Sequence, residues 1–173
     1  IGITPPDRYP HLVAEPAPFP EGTVGVQAGA RYAAKRLPES AVRQLILELE
    51  AQGRHVVLLG GGEEREACVS VATSSCTILA GECSISQTLA TLAGLSGFIS
   101  ADTGLGHLAF GVRTPSVVVF GPTPLVKWAH GAPQVALQAP MGDLSRVTGE
   151  DLLSAFSSCS ASLDSPPVAA PTP

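Results

Sequence analysis

Short apolar runs bounded by turn residues alternate along this chain with stretches whose apolar positions recur every three or four residues. The runs Thr23–Gln27, His55–Leu59, Cys76–Ala80, Phe98–Ala101 and Ser116–Phe120 predict buried strands, and Gln134–Gln138 is a candidate sixth. Between them, Pro38–Gln52 predicts a helix with Pro in its first turn and Gly53 just after it. Its buried face is set by Val42, Leu45, Ile46 and Leu49. Ser84-Ile-Ser-Gln87 has capping-box spacing and opens a helix with Leu89, Leu92 and Ala93 inward. A third helix follows Gly104-Leu105-Gly106 to about Val112, and Thr148–Asp151 caps a last one reaching Phe156. Strand and helix in alternation predict an α/β fold, a Rossmann-like doubly wound parallel sheet.

This pattern occupies residues 23–157. Residues 1–22, with Pro5, Pro6, Pro10, Pro16, Pro18 and Pro20, read as an extended connector from something preceding them. Residues 158–173, rich in Ser, Ala and Pro, read as a disordered tail. No internal repeat is visible.

Composition narrows the function. The 173 residues are 45% hydrophobic and 14% charged, enough for one well-buried domain. Formal charge is −5 and Lys/Arg form no cluster, which argues against a broad basic face for nucleic acid or anionic lipid. No apolar run approaches the ~20 residues that cross a bilayer. The start, Ile1-Gly-Ile-Thr-Pro-Pro6, lacks the features of a signal peptide and is consistent with a processed or excised piece. Cys68, Cys76, Cys83 and Cys159 form no C-x-x-C pair and have no His at ligand spacing, so free thiols and no structural metal are expected.

The densest candidate chemistry lies in Gly97–Pro124, GFISADTGLGHLAFGVRTPSVVVFGPTP. Asp102-Thr103 fall at a strand's carboxyl end, where a parallel sheet binds its ligands. The helix start behind them offers free N–H groups and a partial positive charge, suited to phosphate. Gly104 and Gly106 permit close backbone approach, and His107 adds a side chain. A Thr-capped helix with a satisfied His and a turn aspartate would show the same spacing. Upstream, Arg31, Lys35 and Arg36 end a loop after the first strand. Gly60-Gly61-Gly62 after the second strand could cradle phosphate, but the acids Glu63, Glu64 and Glu66 argue against an anion there. A carboxylate at that point suits ribose hydroxyls or base nitrogens, and Glu64 and Glu66 also suit a helix amino terminus.

Ser100-Ala-Asp-Thr-Gly-Leu-Gly-His-Leu-Ala109, followed by Thr114-Pro-Ser-Val-Val-Val-Phe-Gly-Pro-Thr123, resembles the donor-site signature of glycosyltransferase family 9, the ADP-heptose–lipopolysaccharide heptosyltransferases. Weaker likeness runs from about Val24 to Phe156, with Leu37 where an aromatic is common and Lys127-Trp128-Ala-His130-Gly131, placed on a loop near Thr123, similar to a P-x-x-W/R-G-P segment. The resemblance implies the carboxyl-terminal, donor-binding domain of a two-domain GT-B enzyme. It implies transfer of heptose from ADP-heptose to a lipopolysaccharide inner-core acceptor, with inversion. By the same resemblance Lys35 contacts the donor diphosphate, Glu63 the nucleoside, and Cys83 and Ser84 border the base. Lys35, Thr103 and the N–H groups of Gly104, Leu105 and Gly106 would stabilise the leaving group, while Asp102 and His107 orient the sugar. The general base would be a carboxylate of an amino-terminal acceptor domain that this chain does not contain. No cofactor or metal is implied, since lysine takes the place of a divalent ion. The implied location is the bacterial cytoplasm, at the inner face of the inner membrane. A nucleotide-sugar-binding module without activity, or a GT-B enzyme using another nucleotide sugar, would share these residues.

Overall fold

The computed structural model describes residues 12–161. Six strands form one parallel sheet in the order β3-β2-β1-β4-β5-β6. They are β1 Val24–Gln27, β2 Val56–Leu59, β3 Thr77–Ile78, β4 Gly97–Ala101, β5 Ser116–Phe120 and β6 Gln134–Gln138. The helices are α1 Glu39–Ala51, α2 Arg65–Val71, α3 Ile85–Ala93, α4 Gly104–Gly111, α5 Leu125–Trp128 and α6 Gly149–Ala161. This is the doubly wound α/β architecture expected, with every central strand buried on both faces.

The alternation of side chains along each strand divides the core in two. On one face Val24, Val26, Val56, Leu58, Ile99, Val117 and Val119 pack beneath α1, α2 and α6 through Val42, Leu45, Ile46, Leu49, Cys68, Leu152 and Phe156. On the other face Val57, Leu59 and Phe98 meet Leu92 and Leu95, with Leu105, Leu108 and Val112 of the α4 region packed against them. Both capping boxes form. Ser84 Oγ accepts from Gln87 N while Gln87 Oε1 accepts from Ser84 N, and Thr148 and Asp151 exchange the equivalent bonds.

Three expectations need adjustment. The third strand shrinks to Thr77–Ile78, because at the sheet's edge it has only β2 to pair with. The Trp128 segment, expected as a loop, carries the single turn α5. The last helix runs past 157 to Ala161, because buried Cys159 is anchored there, its thiol donating to Pro133 O at 3.5 Å. Residues 162–173 of the expected tail, and 1–11 of the expected connector, lie outside the described residues. The rest of the connector is docked: Leu12 N donates to Gly111 O and Ala17 N to Ala90 O, strapping the ends of α4 and α3. All four cysteines are free, and burial pushes the Cys68 thiol up to about 11, which leaves it inert at neutral pH. Among the described residues no helix is long and apolar enough to cross a membrane.

Close packing of α6 on β4 depends on Gly97. A Cβ there would come within 2.7 Å of Phe156 Cζ and closer still to Cε2. Gly97→Ala is expected to destabilise the domain by about 1–3 kcal/mol, the usual cost of overpacking a core. Adding Phe156→Leu should return part of that loss in urea unfolding. Simple additivity of the two changes would mean that the ring does not meet the new methyl.

Candidate functional site

The chain leaves β1 toward one face of the sheet and β4 toward the other, opening a crevice beyond their carboxyl ends. A cleft of about 710 Å³ lies there. Its walls come from Gln27 at the end of β1 and from three turns: Ala30, Arg31, Tyr32 and Lys35 after β1, Gly61–Glu64 after β2, and Asp102–Leu105 after β4, with Leu108 of α4 behind.

Lys35 stands in a 3-10 turn, Ala33–Lys35, that brings its ammonium across to the end of β4. Lys35 Nζ donates to Asp102 Oδ2 at 2.8 Å and to the Asp102 carbonyl at 3.0 Å. The Asp102 side chain is 8% exposed and that of Lys35 37%, so the carboxylate is the buried partner and the ammonium faces the cleft. Removing the lysine would leave a buried charge unpaired, the costly way to break such a pair.

A second set of bonds crosses the floor. Thr103 Oγ1 donates to Gln27 Oε1 at 2.5 Å, Gln27 Nε2 donates to Glu64 Oε1 at 2.9 Å, and Gly61 N donates to Glu64 Oε2 at 2.7 Å. The three turns are thereby tied by side chains as well as by the sheet. Thr103 occupies the N-cap position of α4, yet its hydroxyl makes no capping bond because it is turned to Gln27. The first-turn N–H groups of α4 therefore have no side-chain cap, which is the arrangement that receives an anion.

Of the residues expected to form a site, Lys35, Glu63, Asp102, Thr103, Gly104 and Leu105 line this cleft. Cys83, Ser84, Gly106 and His107 do not. Ser84 is the N-cap of α3, with Cys83 half-buried beside it. Gly104 and Gly106 of α4 have separate uses. A Cβ on Gly104 would meet open space, whereas one on Gly106 would lie 3.0 Å from Val118 Cγ2, so Gly106 serves contact with the sheet. His107 is turned away to His130, Nδ1 to Nε2 at 2.8 Å, with His130 stacked on Phe110 at 4.1 Å between ring centroids. Thr103's single hydroxyl proton is engaged by Gln27, which leaves that hydroxyl only lone pairs for a ligand.

Sequence reasoning missed Gln27 and Glu64 as a linked pair, together with the cleft positions of Arg31 and Tyr32. A polar residue closing an otherwise apolar strand was the available signal for Gln27. Glu64 had an adequate local explanation in the helix amino terminus, and nothing along the chain connects it to position 27. Among the described residues, no group of three or more His, Cys, Asp or Glu is placed to hold a metal ion.

The family model for glycosyltransferase family 9 (heptosyltransferase) matches residues 4–148. Lipopolysaccharide heptosyltransferase 2 of Escherichia coli K12 is 30% identical over 108 residues, covering 58% of this chain and 31% of that enzyme. Lipopolysaccharide heptosyltransferase 1 of the same strain is 30% identical over 128 residues, covering 72% of this chain and 40% of the enzyme. Among solved structures, E. coli ADP-heptose heptosyltransferase II superposes with a TM-score of 0.75 at 24% identity, over 83% of this chain and 47% of that one. E. coli heptosyltransferase WaaC with ADP superposes with a TM-score of 0.74 at 25% identity, over 80% of this chain and 44% of that one. The chain thus spans less than half the length of these relatives.

The His107–His130 contact generates a pH prediction. Burial, and next the neighbouring His107, hold His130 below its usual value of 6.5. The unfolded chain therefore takes up this proton before the native chain does. His130's contribution to stability is complete above about 6.5 and is lost as pH falls from there through the lowered native value. Melting temperature should decline across that window, and His130→Gln should flatten the decline. An unchanged slope in the variant would show that the pair does not govern it.

Proposed function

The chain belongs to glycosyltransferase family 9 (heptosyltransferase), and on that premise we propose that it is the donor-binding half of a GT-B heptosyltransferase. The observation that carries this reading is the cleft at the β1/β4 crevice, where the Lys35 ammonium and the uncapped start of α4 border one space. A nucleoside diphosphate needs both: a cation and convergent N–H donors for its oxygens, whose charge-assisted bonds are stronger than neutral ones.

The donor is ADP-heptose in this reading, and the roles divide by chemistry. Lys35 and the N–H groups of Gly104 and Leu105 take up the charge that develops on the leaving diphosphate. Asp102, released from Lys35 as the phosphate arrives, accepts hydroxyls of the sugar, and Thr103 offers lone pairs beside it. Glu63, exposed at the cleft's other wall, accepts from the ribose. The anomeric carbon is then attacked on the face opposite the leaving group by a hydroxyl of a lipopolysaccharide core acceptor. The base that deprotonates that hydroxyl comes from the part of the longer relatives that this chain does not span. The residues of this chain bind and orient the donor, which is the larger part of what such a transfer asks of this half.

Calorimetry on the chain itself tests the assignment. ADP should bind more tightly than UDP or GDP, and Lys35→Ala should weaken ADP by roughly one to two decades while leaving adenosine within about threefold. Equal loss for adenosine and ADP would remove Lys35 from the phosphate. Asp102→Asn should weaken ADP-heptose more than ADP, and a large melting-temperature drop with unchanged ADP-heptose affinity would make Asp102 a turn residue only.

A further inference from the structure

We propose that Gln27 is a positioning residue of the donor site, setting the direction of hydrogen bonding across its floor and holding Thr103 as an acceptor. The role rests on the donor-site reading above and adds to it which ligand groups each wall can take.

The argument begins with a carboxamide whose two ends are chemically different. Gln27 is the last residue of β1, is 3% exposed, and sits between the turns that follow β2 and β4. At one end stands Glu64, whose ionised carboxylate can only accept, so Nε2 must face it. That leaves Oε1 facing Thr103, and an amide oxygen can only accept, so the threonine hydroxyl must donate its one proton inward. Reversal is blocked from the far side as well. Glu64 Oε2 is taken by Gly61 N, and the Glu64 stem is seated against Gly29 and Gly60, where an added Cβ would lie 2.7 Å and 3.0 Å from its Cβ. Both ends of a buried amide are thus satisfied in one orientation only, and a half-satisfied alternative is disfavoured.

The consequence is a sorting of ligand groups. Thr103 presents lone pairs to the cleft, which suit a hydroxyl of the ribose or the transferred sugar and repel a phosphate oxygen. The diphosphate is directed to the α4 N–H groups and Lys35 instead. Gln27 itself touches no reacting atom in this scheme.

An exchange of the two polar groups tests it. Gln27→Glu alone sets two carboxylates against each other and is expected to weaken ADP binding at least about tenfold at neutral pH, with a lower melting temperature. Gln27→Glu combined with Glu64→Gln restores one carboxylate and one amide, with the Thr103 hydroxyl still donating inward. That double variant should bind ADP within about threefold of the unaltered chain. A role in packing alone would leave the isosteric Gln27→Glu without effect on binding. A double variant no better than Gln27→Glu, or a Gln27→Glu chain that binds ADP normally, overturns the proposal. An unaltered chain that binds no ADP overturns the donor-site reading and this role with it, whereas normal binding without repair overturns only the role of Gln27.

Discussion

A purely parallel sheet must send its chain back over one face or the other after every strand, so all the carboxyl ends open on a single edge. Everything distinctive in this protein follows from that constraint. Three turns, after β1, β2 and β4, are forced to share the edge, and the reversal of winding between β1 and β4 holds the first and last of them apart. The cleft is the gap they leave. Its floor is made of strand ends that cannot move, because Val24, Val26, Ile99 and Val56 are fully buried between two helical layers.

Charge at that edge is of both signs, with one part-buried ion pair and a carboxylate held by neutral donors. The Asp102 carboxylate is buried and holds the Lys35 ammonium, while Glu64 is held by an amide and a backbone N–H. A cleft built this way is close to neutral and selects by geometry. Any anion drawn to Lys35 would have to compete with the Asp102 carboxylate that already holds it.

Much of the signature at Asp102–Ala109 nonetheless works for the fold. Gly106 lets α4 approach Val118 and Ser100, and His107 packs away from the cleft with His130. A motif that reads as a run of site residues along the chain is divided by the helix's own rotation, since successive residues point about 100° apart. Asp102 to Leu105 face the cleft; the next two residues face the sheet and the α5–β6 loop.

The sequence by itself determined the layered α/β class, five strands and a candidate sixth, the capped helices at Ser84 and Thr148, and the placement of Lys35, Glu63 and Asp102–Leu105 in segments that follow strands. Those features are local: they depend on apolar period, capping chemistry and position relative to a strand, all of which are written within a few residues. Strand order, and therefore which ends meet, is not local. Only the tertiary structure brought Lys35 to Asp102 across 67 positions and Thr103 to Gln27 across 76, and only it separated Gly104 from Gly106 in use. The direction of each hydrogen bond on the floor was decided there too, because a donor is fixed by what it faces, and what Gln27 faces comes from two other strands.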